Sequence, residues 1–229
     1  MSELQRPRVA IVGGTGAEGF GLALRLTRAG ARVLIGSREA GKAEAAAGRA
    51  PGAEGRANSD AVREAEIVVL TVPLAAQIEI LKSVRESFRP GAILVDTTVP
   101  LEAALGGRAS RTVSLWAGSA AQRAAQQVPD GVAVVAAFHS LSARSLADVD
   151  RPVDTDILIC GDSASAKAAV RRLVEMLPGA RAIDAGPLEN ARLLENVAAL
   201  LIALNVGHRS SRAGLRITGL DPERAWTGR

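Results

Sequence analysis

The chain has 229 residues, 48% hydrophobic and 23% charged, with a formal net charge of +4, enough for one large domain or a nucleotide domain with a small appendage. Three Phe, two Trp and no Tyr leave no stacking platform for single-stranded nucleic acid, and the scattered arginines favour anionic small molecules as partners over nucleic acid. One cysteine and two histidines exclude an intrachain disulfide and a Cys/His zinc cluster. Met1 to Arg8 is polar, unlike a signal peptide, and no apolar run approaches the ~20 residues of a membrane span, so a cytoplasmic protein with no membrane partner is expected.

In chain order, short apolar runs alternate with helix-length segments. The runs are Arg8–Gly13, Arg32–Gly36, Ile67–Val72, Ala92–Asp96, Val132–Phe138, Asp156–Gly161 and Ala180–Asp184, with a weaker strand at Glu54–Asn58 on grounds of topology. Continuous apolar runs of this length belong to a parallel sheet buried on both faces, so the expected fold is α/β, doubly wound and Rossmann-type. Gly19–Ala29 reads as a helix with Leu22, Leu24 and Leu26 toward the sheet and Gly30 as its terminating glycine. Between Thr97 and Gly131 an irregular stretch and a helix over Ser119–Gln127 are expected. Pro187–Leu204 reads as one long apolar helix with Pro187 in its first turn, and a polar, basic tail follows. The natural division is 1–186, a nucleotide-binding part with an extended sheet, and 187–229, a helix and tail.

The first strand runs into the segment VAIVGGTGAEG over Val9–Gly19, where Gly14, Gly16 and Gly19 stand at G-x-G-x-x-G spacing before a helix. Gly14 would allow the tight turn, Gly16 the approach of a pyrophosphate and Gly19 close packing of helix on strand, while the helix N-terminus offers N–H groups and positive dipole to phosphate. Gly14, Thr15, Gly16, Ala17, Glu18 and Gly19 are therefore expected at a dinucleotide. Second strands that serve NAD usually end in Asp or Glu. Here Ser37 and Arg38 stand at that end, with Lys42 four residues on, and these donors suit a 2′-phosphate, so NADP is the expected cofactor. Thr71, Val72 and Pro73 end the fourth strand at the carboxyl edge, where ligands bind in such sheets. His139 follows Val132–Phe138 at the same edge and reads equally as a ligand-facing proton-exchanging group or a satisfied buried histidine. Cys160, inside an apolar strand, reads as an inert buried thiol.

Several separate segments together resemble the NADPH-dependent coenzyme F420 reductases. They are Gly13–Gly16 with Gly19, Gly36–Arg38 with Lys42, Leu70–Pro73, His139 after its strand, Cys160–Asp162, Asp184–Leu188 running into Arg192 and Leu193, and Gly214–Leu220. The resemblance implies hydride transfer between NADP and coenzyme F420, with the protein supplying geometry rather than a covalent intermediate. It implies that Thr15, Ser37, Arg38 and Lys42 meet the 2′-phosphate, that the deazaflavin lies near His139, and that Leu141 and Ala213 are apolar residues against the rings. It also implies a homodimer. Departures from the family pattern are Leu74 where an aromatic residue is common, Ala198 beside Asn196 where a second polar group would hold the deazaflavin, and Ser140–Ala143 without proline. Reduction of a small carbonyl or imine by NADPH, or NADP binding without turnover, remain the other readings.

Overall fold

The computed structural model describes residues 6–220 and Trp226. Every expected run is a strand: β1 (Arg8–Val12), β2 (Arg32–Ser37), β3 (Glu54–Ala57), β4 (Ile67–Leu70), β5 (Ile93–Asp96), β6 (Ala133–Ala136), β7 (Thr155–Gly161) and β8 (Ala180–Asp184). They form one sheet in the order β3-β2-β1-β4-β5-β6-β7-β8, so the order reverses between β1 and β4 and opens a crevice at their carboxyl ends. The helices are α1 (Ala17–Arg28), α2 (Ala40–Ala47), α3 (Asn58–Glu64), α4 (Leu74–Val84), α5 (Ala120–Ala125), α6 (Ala143–Ala147), α7 (Ala164–Glu175) and α8 (Ala191–Gly207). Side chains alternate between the two covered faces. Val9, Ile11, Val33 and Ile35 pack with Leu22 and Leu26 of α1, and Ala10, Val12, Val68 and Leu70 pack with Val62 and Leu81 on the other side.

One departure from a fully parallel sheet decides the shape of the site. β7 runs antiparallel to β6, and β8 is parallel to β7. A parallel strand needs a crossover that carries the chain back along the sheet. Here the 137–154 connection stays at the carboxyl edge, held there by α1. Arg25, only 3% exposed, donates to the carbonyls of Leu146 (2.9 Å), Ser145 (2.6 Å) and Arg151 (2.9 Å), and so the chain re-enters from the same edge. Register places Ala136 opposite Cys160 and Val135 opposite Gly161, so the first half of β7 projects past the end of β6. The C-terminal segment lies along that half, with Asp156 N–H donating to Leu215 O at 2.7 Å.

Helical periodicity also revises α1. Leu22, Ala23 and Leu26 are buried, whereas Leu24, two residues out of phase, is half-buried. Gly30 ends the helix at φ +94°, with Ala31 N–H on Leu26 O and Gly30 N–H on Thr27 O, the paired bonds of a glycine-terminated helix. At the other end of the chain, α8 begins at Ala191 rather than Pro187. Pro187 is extended, and a 3-10 turn over Leu188–Asn190 intervenes because Leu188 N–H is taken by Asp162 Oδ1 at 2.9 Å. Lys167 and Asp184 beneath this junction form a buried ion pair at 2.7 Å, their side chains 3% and 2% exposed, and Asp184 also accepts the Gly186 N–H.

Two outcomes are expected from these contacts. A methyl group on Gly21 would lie 2.6 Å from Leu146 Cβ, so Gly21→Ala should lose ~1–3 kcal/mol in chemical denaturation despite its better helix propensity. Lys167→Met strands the Asp184 carboxylate and should cost ~3–5 kcal/mol in the same measurement.

Candidate active site

The glycine turn is built from contacts too close for any side chain. Gly13 carries the positive φ of +79°, so the tight turn assigned to Gly14 belongs to Gly13. A Cβ on Gly14 would meet Ile11 O at 2.7 Å, and one on Gly19 would meet Thr71 Oγ1 at 2.4 Å and Gly14 Cα at 2.8 Å. These two glycines let the start of α1 sit directly on the ends of β1 and β4. Gly16 differs. Its nearest neighbour would be Gly13 O at 3.4 Å, so nothing in the protein requires glycine there, and its open face is free for a ligand.

A cleft of about 530 Å³ opens beside this turn at the carboxyl edge. Gly16, Ala17 and Glu18 line one wall, Thr71, Val72 and Pro73 the floor, and His139, Leu141 and Ala213 the far side. Nine residues singled out in the sequence thus share one cavity. Gly14 and Gly19 lie beneath it, and Thr15 is exposed on the turn. Ser37, Arg38 and Lys42 lie outside the cleft at the end of β2. Ser37 Oγ accepts the Glu39 N–H at 3.3 Å, leaving its hydrogen to donate, and Arg38 is exposed with no side-chain hydrogen bond or ion pair among the described residues. Lys42, by contrast, is paired with Glu39 at 2.7 Å, both exposed.

The resemblance put the last long helix and Ala198 at the acceptor side, whereas Leu201, Ile202 and Asn205 of that helix were not singled out. Ala198, Leu201, Ile202 and Asn205 line the cleft, at the spacing that puts residues on one helix face, and that spacing was the available signal. Asn205 Oδ1 accepts the Ala213 N–H at 3.0 Å and holds the tail against the helix. Asn196 does not line the cleft; its carboxamide accepts from Thr112 Oγ1 at 2.7 Å on the exposed side.

A group of buried polar side chains lies behind the cleft, with His139 on its lining. His139 follows Phe138, a fully buried residue held at φ +71°, and neither of its ring nitrogens has a hydrogen-bond partner among the described residues. Burial pushes its pKa down to about 4, so the ring is neutral near pH 7, which disfavours proton exchange there and leaves a donor and an acceptor for a ligand. Behind it, fully buried Asp96 accepts from Gln77 Nε2 (3.0 Å) and Thr98 Oγ1 (2.8 Å) on one oxygen, while its other oxygen has no partner among the described residues. Burial raises it to about 6 against those bonds. Glu195 on α8 accepts the N–H groups of Ala120 and Ala121, and burial raises it to about 8. Arg123 donates to Gln77 Oε1 at 2.8 Å and is the cation of this group. Cys160 is buried, and burial pushes its thiol up to about 12, consistent with an inert role.

A glycine turn at the switch point of a doubly wound sheet, opening into a cleft closed by a separate helical wall, defines a Rossmann-type dinucleotide oxidoreductase. The model of the family described as NADP oxidoreductase, coenzyme F420-dependent, matches residues 8–100. The chain is 47% identical to the F420-dependent NADP reductase of Methanothermobacter marburgensis over 93% of its own length and 99% of that protein. It is 40% identical to the enzyme of that name from Methanocaldococcus jannaschii, over 93% and 99% of the two chains. The crystal structure of a proposed F420-dependent NADP-reductase from Arthrobacter sp. FB24 superposes with a TM-score of 0.81 at 26% identity, covering 93% of this chain and 99% of that one. An imine reductase from Pseudomonas shares the fold at a TM-score of 0.60 and 19% identity, covering 90% of this chain and 64% of that one. The chain belongs to the F420-dependent NADP reductase family.

The tail wall hangs on Asp156, which is fully buried. Its carboxylate accepts from Arg181 (2.9 and 2.6 Å), Arg216 (2.8 Å) and the Ile217 N–H (2.6 Å). Burial alone would raise its pKa, but these donors outweigh it and hold the carboxyl below its ordinary value. A depressed folded value contributes stability above the unfolded carboxylate range, and that stability is lost as pH falls through the folded value. Asp156→Asn is therefore expected to speed amide exchange at residues 213–217 at neutral pH, and acidification of the wild type to do the same, as read by hydrogen-exchange mass spectrometry.

Proposed function

We propose that this chain transfers a hydride between NADP(H) and the deazaflavin coenzyme F420. The observation that carries the reading is the single cleft in which the glycine turn faces an apolar wall from α6, α8 and the tail. The residues fit both groups: Gly16 offers an open backbone face to a pyrophosphate, and buried His139 offers ring nitrogens that the described residues leave without partners. When both cofactors are bound, they supply the chemistry themselves, a hydride passing between nicotinamide C4 and deazaflavin C5.

The chain's own groups position and shield. The first-turn N–H groups of α1, with Gly16 and Ala17, bind pyrophosphate. Thr15, Ser37 and Arg38 recognise the 2′-phosphate, and Lys42 joins them by exchanging its exposed Glu39 partner for a more highly charged one. Thr71, Val72 and Pro73 support the nicotinamide, while Leu141, Ala198, Leu201 and Ala213 exclude water from the acceptor side. Neutral His139 donates or accepts one hydrogen bond to the acceptor ring. In this reading residues 1–186 hold the donor and 187–229 complete the acceptor site.

The assembly we propose is a homodimer. Leu193, Leu200 and Leu204 of α8 are exposed at helical spacing, and this apolar stripe has no cover among the described residues. No helix among the described residues is long and apolar enough to cross a membrane, and the lone Cys160 is a free thiol, which suits the reducing cytoplasm proposed as its location.

Mixing the protein with NADPH and F420 should bleach the deazaflavin absorbance, with imine and carbonyl compounds as control acceptors. NADPH binding without bleaching would sink the reading. Arg38→Ala is expected to weaken NADPH about 10- to 100-fold and leave NADH nearly unchanged in binding titrations. Leu200→Glu, which places charge in the apolar stripe, should sediment as a monomer if the wild type is a dimer.

A further inference from the structure

Hydride transfer between these two cofactors is not balanced by the hydride alone. NADPH and oxidised F420 take up one proton for each electron pair: the hydride leaves nicotinamide C4 with both electrons and bonds to deazaflavin C5, and a proton goes to the ring nitrogen N1. A residue that handles this proton must line the cleft and change protonation near neutral pH. His139 and Glu18 are the titratable residues lining it, and His139 is already neutral.

Glu18 is placed by α1. It sits in the first turn, between the two glycines that press the helix onto the sheet, and is partly buried at the cleft wall. Its neighbour in the floor is Thr97, whose Oγ1 donates to Leu70 O at 3.0 Å. The contact of this hydroxyl with Glu18 favours the charged carboxylate. The charged group acting on Glu18 is Asp96, one oxygen of which is buried without a partner among the described residues. Asp96 in turn neighbours Glu195 and Arg123, the latter bonded to Gln77 and the Leu74 carbonyl. The exposed N–H groups of the first turn favour a charged Glu18. Burial, with Asp96 adding to it, outweighs these N–H groups and the Thr97 hydroxyl and raises the Glu18 carboxyl to about 7.

We propose that Glu18 is the proton-carrying residue of this site: its carboxyl delivers the proton that accompanies the hydride and receives it in the reverse direction, while buried Asp96 behind it holds that proton in place. After delivery the Glu18 carboxylate regains a proton from water at the cleft mouth. The inference rests on the hydride-transfer reading above.

Infrared titration of the cofactor-free protein tests it without turnover. Wild type should show protonated-carboxyl absorption from Asp96, Glu18 and Glu195; the component that disappears near pH 7 should be the one lost in Glu18→Gln, and Asp96→Asn should move its midpoint to lower pH by removing a like charge. In turnover, F420 reduction by wild type should fall as pH rises through neutrality, and oxidation of reduced F420 should rise. Glu18→Gln should lose both limbs and run about 10²-fold slower, with NADPH binding retained. A wild-type-minus-Glu18→Gln difference spectrum without a component titrating near pH 7, or pH limbs that survive in Glu18→Gln, overturns the assignment alone. A wild type that shows that component yet reduces no F420 overturns the hydride-transfer reading, and the role of Glu18 with it.

Discussion

The closeness of α1 to the ends of β1 and β4 is the constraint from which the rest of the molecule follows. Gly14 and Gly19 bring backbone to within a distance that a single methyl group would abolish, and Thr71 is caught between Gly13 and Gly19, its hydroxyl donating to Val12 O at 3.0 Å. Seated there, the helix turns its other residues to separate roles. Glu18 reaches the cleft, Gly21 admits Leu146, and Arg25 gathers the carbonyls that follow α6. One helix thus fixes the nucleotide turn, the path of the 137–154 connection and, through that path, the direction of β7.

The far wall depends on a second device. Because β7 begins beyond the end of β6, it has a free half to which the tail can bond, and the buried charge of Asp156 secures that bonding. Ser140 Oγ donates to Asp156 O at 2.7 Å, which ties the segment after His139 to the same strand. Leu141 and Ala213, distant in sequence, meet across the cleft for this reason.

Much of this was legible in the sequence. Seven of the eight strands stood out as apolar runs, because a strand buried on both faces cannot hide its composition, and the glycine spacing located the crevice; β3, with the sequence EGRA, was expected from topology alone. The reversal at β7 left no such mark: its cause is Arg25, an arginine that reads as solvent-facing in a helix and is in fact buried against carbonyls more than a hundred residues away. The role given to Gly14 belongs to Gly13 because spacing cannot distinguish a glycine needed for its φ from one needed for its missing Cβ. Asp96 stood out only as the end of a strand at the ligand edge, and Gln77, Arg123 and Glu195 drew no attention, since each is ordinary alone and significant only through the others. The segments at Cys160–Asp162 and Asp184–Leu188 carried much of the family resemblance, and in the structure they act as scaffolding. Gly161 N–H bonds to Gly186 O, Asp162 accepts from Leu188, and Asp184 pairs with Lys167.

The projecting half of β7 also bears on how such a protein can change over generations. The nucleotide turn is locked by glycines and by α1, whereas the opposite wall is hung from a strand and a tail that contribute nothing to that lock. Substitutions along α8 or the tail can therefore reshape what lies against the nicotinamide while recognition of the dinucleotide is inherited intact. The architecture separates a constant electron source from a variable electron destination, and its evolvability resides in the free half of an antiparallel strand, which the strand's partner β6 does not reach.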